Sequence, residues 1–103
     1  MSKATEIREH LGVTRTIKLN MPVKLANGRE LSELTVRRAK VGDYRATAHC
    51  ASEVEQEIML LARLAGLVAE DVEELDLSDY KQLQDWFRLC QEKPKAENDN
   101  LTQ

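Results

Sequence analysis

Residues 52–67, SEVEQEIMLLARLAGL, constrain this chain more than any other stretch, because both ends of a helix are written into them. Ser52 with Glu55 three residues later is the capping-box pattern: the hydroxyl accepts from one free backbone N–H and the carboxylate reaches back to another. Gly66, the residue best able to take the left-handed turn that closes a helix, marks the stop. Between them Ile58, Met59, Leu60, Leu61, Ala62, Leu64 and Ala65 are interrupted only by Arg63. A surface helix needs one apolar stripe, whereas this second half is apolar nearly all round, which implies burial against more than one neighbour. In a chain of 103 residues one such neighbour can be another protein.

Upstream the period changes. Ile17, Leu19, Met21, Val23 and Leu25 fall on alternate positions, the pattern of a strand with one buried face. Pro22 removes a ladder donor inside that run and places the strand at a sheet edge or breaks it there. Asn27-Gly28 offers two residues comfortable at positive φ, the strongest short-range hairpin signal. The return strand spans about residues 29–38, with Leu31 out of phase with Leu34 and Val36, so a bend or bulge is expected near Ser32-Glu33. Two strands alone are marginal in water and need a helix on their apolar face. Val41-Gly42-Asp43 reads as a turn with Asp43 as the N-cap of a short helix. Residues 67–75 read as a loop and one or two acidic helical turns. A last helix starts at Asp76 or Ser78; Asp76 with Asp79 resembles a capping box, and Leu75 staples to Tyr80. Tyr80, Leu83, Phe87 and Cys90 form its stripe, and Lys93-Pro94 ends it.

The expected fold class is therefore α+β: an N-terminal antiparallel β-hairpin (14–38) followed by three to four α-helices (43–92) in one small domain, 14–92. A chain of this length buries roughly two thirds of its unfolded surface. Hydrophobic residues at 42% and charged residues at 32% suit a packed globule. Residues 1–13, polar apart from Ile7 and Leu11, are expected to be a flexible arm, and 93–103 a disordered polar tail. The N-terminus has no apolar segment of a signal peptide, and the longest apolar run, Ile58 to Ala62, is far short of the roughly 20 residues that span a bilayer. Cys50 and Cys90 lack CxxC spacing, so free thiols in a reducing cytoplasm are expected.

Chemistry is sparse. His49-Cys50 is the one His/Cys pair, and zinc needs three or four ligands. Neighbouring helical residues point apart, which disfavours Cys50 as a nucleophile served by His49. The acidic residues from Glu70 to Asp79 lack the glycine of a calcium loop and read as a solvated face suited to helix starts. No cofactor, metal or enzymatic activity is expected. Net charge is -3, which invites neither nucleic acid nor an anionic membrane. Arg37, Arg38 and Lys40 form the one basic knot, enough for a weak phosphate contact or simply the charges of an edge strand. They are a possible secondary interface. The apolar surplus is the remaining signal, and a partner or oligomer interface is expected at Ile58, Leu60, Leu61, Leu64 and Leu67, with Leu60, Leu64 and Leu67 the first line to test.

Three stretches, IKLNMPVKLANGRELSELTVRRAKVGD, EQEIMLLARLAGL and EDVEELDLSDYKQLQDWF, together with the spacing between them, covering about residues 17–87, resemble the tail assembly chaperones of Mu-like and related contractile-tailed phages. The resemblance implies a non-enzymatic morphogenesis protein of the host cytoplasm that binds the long, helical tape measure protein and keeps it soluble until tube subunits polymerise around it. It also implies self-association and a longer form of the same protein made by ribosomal frameshifting near the end of the reading frame. The alternatives are a small DNA-binding regulator acting through Arg37, Arg38 and Lys40, or a structural subunit of the tail.

Overall fold

The computed structural model describes residues 14–93, and over them the chain is an antiparallel hairpin followed by four helices. It is α+β, as the changes of period imply. The arm assigned to 1–13 and the tail beyond residue 93 lie outside the described residues.

Strands β1 (Thr14–Lys24) and β2 (Glu30–Arg37) pair with Thr14 opposite Arg37 and Ile17 opposite Leu34. Alternation puts Ile17, Leu19, Leu34 and Val36 on the buried face, while Lys18 and Glu33 meet on the other. The turn uses Asn27-Gly28 differently from a two-residue hairpin. Gly28 alone takes positive φ, at 88°, and donates its N–H to the Leu25 carbonyl at 2.9 Å. Asn27 stays at negative φ, and its Oδ1 accepts the Arg29 N–H at 2.9 Å.

The irregularity near Ser32-Glu33 is present, but the surplus residues belong to β1. Pairing passes from Lys18–Glu33 to Val23–Leu31, so Leu19 to Pro22 together face Ser32. Pro22, with no N–H to give, sits in the stretch that leaves the ladder. Side chains of the last helix take up the released groups. Asp79, fully buried, accepts the N–H of Asn20 at 2.7 Å and of Met21 at 3.0 Å, and Gln82 donates to the Lys18 carbonyl at 3.0 Å.

Helix α1 (Val41–Ala46) begins one turn earlier than expected. Lys40 is its N-cap, and Asp43 lies inside the first turn, where its Oδ2 accepts the Lys40 N–H at 2.9 Å. Helix α2 (Glu53–Ala65) starts and stops where its sequence says. Ser52 Oγ accepts the Glu55 N–H at 3.1 Å, and Gly66 takes φ 69° and ψ 29° while Leu67 N–H donates to the Ala62 carbonyl. Short α3 (Ala69–Glu73) leads to α4 (Leu77–Leu89), capped by Asp76, which accepts from the Ser78 N–H at 3.0 Å and the Ser78 hydroxyl at 2.5 Å. Asp79 does not complete a capping box there, because its carboxylate is occupied by β1. The helix ends at Leu89, before Lys93-Pro94, and Arg38 donates to the carbonyls of Cys90 and Glu92 just beyond it.

The core lies between the hairpin and the helices. Leu60, Leu61 and Leu64 of α2 join Val72 of α3, Leu75, and Leu83 and Trp86 of α4 beneath Ile17, Leu34 and Val36. Helix α2 packs against β2, α1, α3 and α4, and α4 against β1. Burial of a leucine such as Leu61 or Leu83, both at 0% exposure, contributes about 1.5–3 kcal/mol each. Trp86 satisfies its indole by donating to the Arg37 carbonyl at 2.8 Å, with the Arg15 guanidinium 5.0 Å from its ring centre.

Candidate partner interface

The five apolar residues expected to meet a partner divide into two groups. Leu60, Leu61 and Leu64 are 4%, 0% and 2% exposed, within the chain's own core. The neighbours that an all-round apolar helix requires are β2, α1, α3 and α4 of the same chain, so a partner reaches these three leucines only if the fold opens. Ile58 and Leu67 are partly buried at the edge of that core. Each lines an open cleft, and the two clefts differ in character.

The Ile58 cleft, about 250 Å³, lies where α2, α3 and α4 converge and is lined by Ile58, Val72, Glu73, Leu75, Leu77 and Tyr80. Val72 and Leu75 are buried, whereas Leu77 remains 79% exposed. Val54, also exposed, stands four residues before Ile58 on α2 and continues its stripe by one helical turn. Tyr80 is pinned by its phenol, which donates to Glu57 Oε1 at 2.5 Å, and Gln84 Nε2 donates to the same oxygen at 3.0 Å. Burial and the adjacent Glu57 carboxylate raise the Tyr80 pKa above its ordinary value of 10, so the phenol stays a neutral donor. The cleft thus combines fixed apolar walls with one exposed leucine. In sequence Leu77 stands between two competing caps, Asp76 and Ser78, and reads as part of a helix start; the i, i+3 pair Val72 and Leu75 was the available signal for a cleft floor.

The Leu67 cleft, about 400 Å³, is more polar, with Asn27, Arg29, Glu33 and Asp71 beside Leu25 and Leu31. Asp71 Oδ1 accepts the Ala26 N–H at 3.0 Å and fastens the hairpin loop to α3.

The basic knot is engaged with the fold. Arg37 grips Asp43 with two bonds of 2.7 and 2.8 Å, and Arg63 Nε meets the same carboxylate at 2.9 Å. The Arg37 bonds hold the Asp43 carboxyl far below the ordinary carboxylate range, against the opposing effect of burial, with further help from the Lys40 N–H and Arg63. Arg38 is turned to the end of α4. Two of the three cations therefore spend donors on the chain itself, and Lys40 is exposed at the start of α1.

Cys50 and Cys90 are free thiols; Cys50 Sγ lies 3.2 Å from Met59 Sδ, and Cys90 Sγ accepts the Ala39 N–H. Among the described residues no three His, Cys, Asp or Glu are grouped to hold a metal ion, and no helix is long and apolar enough to cross a membrane.

A family model described as "Phage tail assembly chaperone proteins, E, or 41 or 14" matches residues 16–90, more than half of the chain. None of the curated proteins and none of the solved structures matches it.

Proposed function

This chain belongs to the phage tail assembly chaperones, and from that premise we propose that it binds the tape measure protein in the host cytoplasm and keeps it soluble while the tail assembles. The observation that carries the proposal is the open apolar cleft with Leu77 exposed on its rim. A concave apolar surface between helices is a receptor for the apolar stripe of another helix, and a long helical client offers many such stripes. Weak contacts repeated along one client gain from effective concentration, so self-association and pairing with a longer frameshifted form strengthen the capture. Ile58, Leu77 and Tyr80 make the contact; Leu60, Leu61 and Leu64 support it from behind. Leu67 and the polar cleft are a secondary candidate. The role requires no catalytic step.

Co-expression with the tape measure protein, scored as soluble client, tests this. The wild-type chain is expected to raise the soluble fraction and Leu77→Glu to lose the effect; a client equally insoluble with and without the chain overturns the proposal. Purified particles give a second check, since a structural subunit stays in the tail and a chaperone leaves. The ties of Arg37 and Arg38 to Asp43 and α4 count against a DNA-binding role.

A further inference from the structure

We propose that the cleft between α2, α3 and α4 selects cationic amphipathic helices, those whose apolar stripe is flanked by Lys or Arg; this rests on reading the cleft as the client site. The two segments that carry its lining residues, 51–62 and 68–80, contain neither Lys nor Arg, and the cations that follow them directly, Arg63 and Lys81, are paired with Asp43 and Asp85. In sequence they carry three and six Asp or Glu respectively. Glu73 itself lines the cleft, and Glu57 is bonded to the Tyr80 that forms its wall. The groups that occupy Glu57, the Tyr80 phenol and the Gln84 amide, are neutral, so its charge is not cancelled. Ion pairs among the described residues fall elsewhere, on Asp43 and Asp85.

The result is an apolar floor with two carboxylates at its edge, Glu73 in the lining and Glu57 behind Tyr80. A helix whose stripe fits the floor must bring its flanking side chains up to that acidic edge. Lys or Arg there meets opposite charge and lays its aliphatic stem on the apolar wall, whereas Glu or Asp there meets like charge. The floor gives affinity and the rim gives discrimination, the part of recognition that repulsion supplies best.

The probes are two synthetic helical peptides with the same leucine stripe, one flanked by Lys and the other by Glu, titrated against the full chain by fluorescence anisotropy. The Lys peptide is expected to bind at least about tenfold more tightly, with the difference shrinking as salt rises. Glu73→Lys should cut the preference several-fold. Glu30→Lys, the same change of net charge at an exposed position of the hairpin outside both clefts, should leave it intact. Leu77→Glu should weaken the Lys peptide despite adding negative charge, because it spoils the apolar rim. Both Glu73 and Leu77 are exposed, and retained thermal unfolding confirms that each variant is folded. Equal binding of the two peptides, or equal loss of preference in Glu30→Lys and Glu73→Lys, overturns the proposal. If the preference holds while the tape measure protein gains no solubility on co-expression, the chaperone reading fails and the selectivity stands.

Discussion

Asp43 holds two guanidinium groups and a backbone N–H on a carboxylate that the fold has removed from water. Removing it strands two cations, and the usual cost of breaking a buried pair is about 3–5 kcal/mol. Arg37 and Arg63 keep 40% and 48% side-chain exposure and regain water, so Asp43→Asn is expected to cost about 2 kcal/mol at neutral pH, read as a lower denaturation midpoint. The sign of its pH dependence follows from the depressed pKa. The stabilisation is complete above the unfolded value, near 3.8, and is lost as pH falls toward the folded value. The gap in Tm between wild type and Asp43→Asn should therefore be full at pH 7 and close progressively below about pH 4. Asp79 makes a different case, since its partners are neutral N–H groups of the β1 irregularity. Asp79→Ala leaves the Asn20 and Met21 donors without an acceptor, at about 1–3 kcal/mol each if they stay dry. The measurement is amide exchange: Asn20 and Met21 should lose protection while Ile17, in regular pairing, keeps it in the surviving folded fraction.

At the scale of elements, local signals were sufficient wherever the deciding bond is local. Ser52 and Gly66 bound α2 with contacts inside one turn, and Gly28 closes the hairpin within five residues. The Gly66 assignment has a direct test. An added Cβ meets nothing within 4 Å, so Gly66→Ala pays only for the left-handed backbone, about 1 kcal/mol, and chemical denaturation should show a lower midpoint at unchanged slope. What the sequence did not disclose depends on distant partners. The Asp43 carboxylate reads as a cap until Arg63, twenty residues on, is seen to share it. Asp79 reads as half of a capping box until Asn20, 59 residues away, is brought to it. The same limit applied to the site: periodicity showed that α2 had too much apolar surface for one neighbour, but not that four elements of the same chain cover Leu60, Leu61 and Leu64. Leu77 escaped because its exposure is set by how α3 and α4 meet, which no spacing within either helix encodes.

Taken as a whole, the molecule separates two kinds of leucine that look alike in sequence, and the separation decides how a loss of function should be interpreted. Leu61 is sealed between the sheet and the other helices, so a carboxylate there must be dragged from water or the core must open around it. Against a typical stability of about 5–15 kcal/mol, that penalty added to the lost apolar burial is expected to leave Leu61→Glu largely unfolded. Leu77 has already paid the exposure, and its substitution by Glu should change stability by no more than about 0.5 kcal/mol. Circular dichroism melts and soluble client, measured on the same preparations, separate the two roles: Leu61→Glu should lose both signals and Leu77→Glu only the second. Should Leu77→Glu melt like wild type and still keep the client soluble, the cleft is not where the client sits, and the search moves to Leu67 and the polar cleft beside the hairpin loop. Loss of both signals in Leu77→Glu would instead make the cleft a continuation of the core, because an exposed leucine can be that sensitive only if the folded chain closes over it.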